Sequence, residues 1–307
     1  MSPLFHIQSH SFDGVSVPSS LAARRWDMAA IGTTNNEHLD ARSKAACAFA
    51  VEHAQEVFRM DFINNTAVID DAKVTHGAIC VKLRGCNSLL IEATTLNCPE
   101  LLYLIRAARK EGVQTISFLY LEPEEYRRTL KGRLSDYRDF DLSGNRRFRS
   151  VQGFGSNLTD IAPGHAVFFL GYEKARLGQA LEQEETLRDW SKHAVFGVPA
   201  FEPSWEIDSI ANNIQYFSAS SFEARYAGAA SVEAAYGLLN QLMSDNKAGI
   251  PIVVAPLGTK PHTIGAALFL VEHPECDDAI LLYDHPQKNF DRSYNIRRWH
   301  LYDVVTT

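Results

Sequence analysis

The sequence predicts an α/β fold of Rossmann-like type. A mostly parallel sheet carries helices on both faces, with an N-terminal cap or subdomain before it and an arginine-rich insertion within it. Three observations predict this. Short apolar runs recur from residue 79 to the C-terminus. Several are continuously apolar, as strands covered on both faces are. Between them fall segments with apolar residues three and four apart, the spacing of amphipathic helices. At 307 residues the chain suits two domains or one large α/β unit. With 46% hydrophobic and 22% charged residues, disorder or coiled coil over most of it is excluded.

Residues 1–75 read as the cap or subdomain and 76–307 as the Rossmann-like domain, with 122–163 as an insertion or lid. In the first region an apolar piece, Met28 to Ile31, precedes the polar run Thr33-Thr34-Asn35-Asn36. A helical pattern then runs from about Glu37 to Phe58. Strands are expected at Ile79–Leu83, Leu89–Ala93, Thr115–Tyr120, Val167–Leu170, Val195–Val198, Tyr216–Ala219, Ile252–Ala255 and Ile280–Tyr283. Trp299–Val304 is expected to close the sheet as an edge strand.

The intervening helices carry start signals. Asn97 with Glu100 three residues on and Pro99 in the first turn forms an Asn-led capping box. Leu101, Leu104, Ile105 and Ala108 follow as a stripe, and Gly112 stops it. Ser204 precedes Ile207, Ile210, Ala211 and Ile214, and Ser231 precedes Val232, Ala235, Leu239 and Leu242. Leu177 and Leu181 lie four apart in another helix, and Ile264, Leu268 and Val271 line a last one. The rhythm breaks between Glu122 and Pro163, where Arg127, Arg128, Arg133, Arg138, Arg146, Arg147 and Arg149 gather.

The balance of 30 basic against 37 acidic residues, a net charge of -7, argues against general adhesion to nucleic acid or anionic membrane. No apolar run reaches membrane-spanning length, and the first residues lack a signal-peptide pattern. A cytoplasmic protein without membrane partners is expected. Cys47, Cys80, Cys86, Cys98 and Cys276 read as reduced thiols, and no metal site is expected from CxxC or HExxH spacing.

The sharpest chemical signal is Pro256-Leu257-Gly258-Thr259-Lys260-Pro261-His262, where an apolar strand gives way to a helix. Gly258 turns tightly, Thr259 and the first helical amides can donate to phosphate oxygens, and Lys260 adds a point charge. Its spacing is not that of a Walker A loop. Thr94, Thr95 and Asn97 form a second polar strand-end loop, fit to hold a ribose or phosphate or simply to cap the next helix. At a third, Gly171 leaves room at the crossover, Tyr172 can stack on a base, and Arg176 can pair with phosphate or with neighbouring acids. Asp284 and His285 are the candidate acid–base couple, with Lys288 and Arg292 beside them as phosphate neutralisers. Asp70-Asp71 and Asp277-Asp278 read as solvated turn acids.

In Gly258-Thr259-Lys260, with Thr94-Thr95 before a helix, the chain resembles the CARF-type Rossmann-like sensors of prokaryotic antiviral defence. Where those often carry Thr-Gly-Gly-Thr-Lys, this chain has Pro256-Leu257-Gly258-Thr259-Lys260. The resemblance implies a nucleotide-binding face, a symmetric homodimer and a sensing role.

The leading functional expectation is a sensor or regulatory protein for a nucleotide or other phosphate-bearing small molecule. The alternative is a nucleotide-processing hydrolase or transferase using Asp284 and His285, with magnesium required only in that case. A third class is an interaction protein that binds a protein partner through a vestigial cleft.

Overall fold

In a computed structural model of the chain, the described residues are 4–32, 40–126, 148–149, 151–219, 221–246, 249–274, 278–286 and 293–306. In chain order the elements begin β1 (Phe5–Asp13), α1 (Ser19–Ala22), β2 (Trp26–Gly32), α2 (Ala41–His53), β3 (Ala54–Ile63), β4 (Thr66–Ile69) and β5 (Ala72–Val74). There follow α3 (His76–Leu83), β6 (Ser88–Glu92), α4 (Cys98–Glu111) and β7 (Thr115–Tyr126). Next come β8 (His165–Leu170), α5 (Lys174–Gln183), β9 (Ser191–Gly197), α6 (Trp205–Ala219), β10 (Phe222–Ala227) and α7 (Val232–Asp245). The series ends with β11 (Ile252–Pro256), α8 (Lys260–Glu272), β12 (Ala279–Leu281) and β13 (Ser293–Thr306).

The α/β class holds, but the expected single main sheet is two sheets, one in each of two compact units. The first unit, Met1–Tyr126 with Phe290–Thr307, holds an 8-stranded mixed sheet ordered β1-β13-β7-β6-β2-β3-β4-β5. Its centre, β7-β6-β2-β3, is parallel, and antiparallel strands extend it on both sides. Residues 1–75 therefore supply five of its strands. The second unit, Arg127–Asn289, holds a wholly parallel 5-stranded sheet ordered β10-β9-β8-β11-β12.

Adjacent Phe168 and Phe169 are both 0% exposed, so both faces of β8 are covered. On one face Phe168, Ala194, Phe196 and Val253 pack with Leu177 and Ala180 of α5 and with Trp190. On the other, Phe169 meets His262 of α8. Instead of the one-sided stripe expected, α8 is buried from Pro261 to Val271 on every side. That is the burial expected of a helix apolar all round.

Several element assignments need correction. Residues 79–83 belong to helix α3: Thr75 caps it by accepting from Ala78 N–H, Ile79, Cys80 and Leu83 are buried, and Val81 is exposed. The helix expected through Phe58 ends at His53. The next residues follow period two, with Phe58 and Met60 buried and Arg59 exposed, and so form β3.

Residues 216–219 are the last turn of α6, and the strand follows at β10. Of the expected stripe on that helix, Ile210 packs against the core, but Ile207 and Ile214 are exposed, and Trp205, Ser209, Asn212 and Asn213 are buried instead. The C-terminal strand is internal, since β13 lies between β7 and β1. Of the arginine-rich stretch, Arg149 is described and sits in a bridge with Tyr283; Arg127, Arg128, Arg133, Arg138, Arg146 and Arg147 lie outside the described residues. So do Thr33 to Asn36, Cys276, Asp277, Lys288 and Arg292. Among the described residues Cys47, Cys80, Cys86 and Cys98 are buried and form no disulfide.

Candidate functional site

In order of appearance in the second unit, β8 to β12 are the first to fifth strands, so the spatial order is 3-2-1-4-5. Connections run outward in opposite directions from the adjacent pair β8 and β11. The loops after them leave for opposite faces, and the crevice between such loops is where open parallel sheets bind ligands. Those loops carry Gly171-Tyr172-Glu173 and Leu257-Gly258-Thr259.

The two glycines bring the loops into backbone contact. A Cβ on Gly171 would stand 3.0 Å from the Leu257 carbonyl oxygen and 3.4 Å from Gly258 Cα. One on Gly258 would stand 3.1 Å from the Leu170 carbonyl and 3.2 Å from His262 Nδ1. Thr259 caps α8 by accepting from His262 N–H, and its hydroxyl donates to the Ala229 carbonyl at 2.7 Å. Its side chain is therefore taken up by the fold. Among the described residues, by contrast, no acceptor takes the N–H groups of Gly258 and Thr259. These donors sit at the positive end of a 13-residue helix, and Lys260, half-buried, opens that helix.

His262 is fully buried, with Nε2 3.0 Å from the Gly228 carbonyl and 3.2 Å from that of Ala227. Burial pushes its pKa down to about 4, so the ring is neutral and Nε2 carries the hydrogen. It ties the turn after β10 to α8, a structural duty that a strand-end histidine does not advertise.

Arg176 is the hub beneath the crevice. Its Nε and Nη2 donate to the two oxygens of Asp284 at 2.7 Å each, and Nη1 donates to the Leu257 carbonyl at 2.7 Å. Glu173 lies 3.4 Å from Nη1. The paired carboxylates hold the guanidinium cationic against its burial. One side chain thus clamps the loops after β8, β11 and β12.

Asp284 is 0% exposed and both its oxygens are engaged by Arg176, so this carboxylate serves as a bidentate acceptor. His285 has φ 44°, places Nε2 3.3 Å from the Arg149 carbonyl and lies across the Tyr283 ring. Tyr172 is buried edge-on against Trp205. The Gly171 and Tyr172 carbonyls accept from Ser209 and Asn212 of α6 at 2.8 Å. This pairing explains why α6 buries a polar face.

Thr94, Thr95 and Asn97 fall in the first unit, after β6. Glu92, 0% exposed, accepts from Thr94 N–H at 2.8 Å, Thr95 N–H at 3.1 Å, and the Thr95 hydroxyl. Thr95 Oγ1 in turn accepts from Gly32 N–H, and Thr94 Oγ1 from Leu121 N–H. This loop is closed on itself. Asn97 holds the N-cap position of α4 with Pro99 in the first turn, but its side chain makes no capping bond, which corrects the expected capping box.

Two groupings escaped sequence reasoning. In the first unit, Ser11 Oγ lies 2.8 Å from His300 Nδ1, and His300 Nε2 lies 2.8 Å from Glu122, a polar row across β1, β13 and β7. In the second, an open groove of about 710 Å³ lies at the amino ends of β9 and β10. Glu184, Arg188, Asp189, Lys192, His193 and Glu223 line it. There His193 Nε2 stands 2.8 Å from His165 Nδ1 and its Nδ1 3.2 Å from Glu223. Burial lowers the pKa of His193 and Lys192 and raises that of Glu184. Its mixed charge suits an anion less well than the α8 N-terminus does.

Among the described residues no helix is long and apolar enough to cross a membrane, and no cluster of three or more His, Cys, Asp or Glu side chains is placed to hold a metal. No protein-family model and no curated protein matches this chain.

Proposed function

We propose that this protein binds a nucleotide or another phosphate-bearing small molecule at the second unit's switch point and acts as a sensor or regulator. The observation that carries the reading is the loop at the start of α8. It offers two adjacent backbone N–H donors that no acceptor takes among the described residues, a helix N-terminus behind them and Lys260 beside them. Phosphate oxygens complement that donor set. The resemblance of Gly258-Thr259-Lys260 to CARF-type sensors supports the same reading, with a role in antiviral defence as what that resemblance implies.

The bidentate engagement of Asp284 by Arg176 favours binding over turnover at this edge. Regulation follows if the ligand prefers one arrangement of the strand-end loops; equal affinity for all arrangements would shift nothing. Mass spectrometry of nucleotides released from gently purified protein tests the reading, together with a turnover screen with and without magnesium. Saturable binding without consumption supports a sensor. Multiple turnovers would replace it with a nucleotide-processing enzyme, and absence of any nucleotide affinity would leave a protein-interaction role.

A further inference from the structure

Among the described residues strand β10 is an edge of the parallel sheet, paired on one side only, with β9. Such an edge presents unpaired backbone groups, and proteins commonly blunt it with lysines, prolines or a covering element. This strand, Phe222-Glu223-Ala224-Arg225-Tyr226-Ala227, has no lysine or proline, and Tyr226 is 62% exposed. Its sequence is self-complementary about Ala224. Reversed and laid against itself, Glu223 faces Arg225, Phe222 faces Tyr226, and Ala224 faces its own copy.

The geometry points to a two-fold dimer in which β10 pairs antiparallel with β10 of a second copy of this chain, centred on Ala224. Backbone direction agrees with this register. The Ala227 carbonyl turns toward β9, where it accepts from Val198 N–H at 3.0 Å. Alternation along a strand then turns the amides and carbonyls of Phe222, Ala224 and Tyr226 outward. These are the residues that face each other or themselves in the proposed register, and each such antiparallel pair exchanges both of its bonds.

The side chains sort by face. Glu223 and Arg225 share one face and already touch within the strand at 2.8 Å. Pairing two copies sets each glutamate opposite the other copy's arginine, giving an alternating square of four charges. On the other face Phe222 packs against Phe217 and Tyr226 against Phe196, so cross-strand aromatic pairs flank the small Ala224. A groove of about 420 Å³ opens beside the strand, between Ala224, Arg225 and Tyr226 and the α7 residues Leu238, Gln241 and Asp245. It lies on the edge that the second copy would cover.

Sedimentation equilibrium of the full chain tests this with a charge reversal and its rescue. The wild type should be a dimer. Arg225→Glu, which sets glutamates opposite glutamates twice, should dissociate at least tenfold more readily while circular dichroism shows the chain still folded at the working temperature. The double variant Glu223→Arg/Arg225→Glu restores complementarity and should dimerise again, yet should not mix with wild type. Ala224→Pro, which removes an outward amide at the two-fold, should also be monomeric. A monomeric wild type at tens of micromolar would overturn the inference. So would an Arg225→Glu dimer of undiminished affinity, or a double variant no tighter than the single one.

Discussion

The loop after β6 and the loop after β11 look alike in sequence: each is a polar strand end with threonine leading into a helix that has proline in its first turn. They differ in where their donors go. After β6, Glu92 gathers the Thr94 and Thr95 amides and the Thr95 hydroxyl, and the two threonine oxygens accept from neighbouring strands. After β11, Thr259 is likewise absorbed, but the Gly258 and Thr259 amides have no acceptor among the described residues. A buried carboxylate directly after the last apolar strand residue separates a self-capped loop from one open to an anion.

The sharpest way to break this comparison is at the clamp beneath the second loop. Arg176→Met would leave Asp284 buried without its partner, at a cost of roughly 3–5 kcal/mol. The denaturant midpoint of the variant should fall accordingly. Full stability with lost ligand affinity would instead make Arg176 a ligand contact.

His262 gives the second unit a pH dependence. Its folded pKa of about 4 lies below the unfolded value near 6.5. The unfolded chain therefore takes up a proton that the folded one refuses. Stability is fully present above pH 6.5 and falls as pH drops toward 4, by a total on the order of 3 kcal/mol. His262→Gln, which does not titrate, should flatten that slope in denaturant melts between pH 7.5 and 4.5. An unchanged slope would assign the dependence to other groups.

Effects in the first unit should be smaller. Glu92→Gln turns one acceptor into a donor facing the Thr94 or Thr95 amides, at about 1–3 kcal/mol of stability. Thr94→Val strands the Leu121 N–H and should cost about 1 kcal/mol. Neither should alter nucleotide affinity, and a loss of affinity in either variant would reopen the β6 loop as a site.

Much of the second unit was legible because each element announces itself locally. Ser231 caps α7 by accepting from Ala234 N–H, and the apolar cores of β8 and β11 are continuous. The first unit was harder for identifiable reasons. Its hairpin turns are Asn64-Asn65 and Asp70-Asp71, all at positive φ; the second reads as solvated turn acids in the sequence, but neither is read there as the tight turn that pairs two strands. The period-two run Phe58-Arg59-Met60 was masked by the helix preceding it without a break. At the candidate site the Gly258 loop was readable from local chemistry. The Arg176–Asp284 pair joins residues 108 apart, and nothing local in either segment names the other.

The account turns on whether the α8 loop, and not the β6 loop, receives phosphate. Calorimetric titration with adenosine and guanosine triphosphates of wild type, Lys260→Ala and Thr94→Val measures this directly. At least one nucleotide should bind the wild type saturably. Lys260→Ala should weaken it about 10–100-fold, the loss of one charge-assisted contact worth about 1.5–3 kcal/mol, while Thr94→Val leaves it unchanged. Equal affinities for wild type and Lys260→Ala, with matching thermal melts, or no saturable binding of either nucleotide, would contradict it.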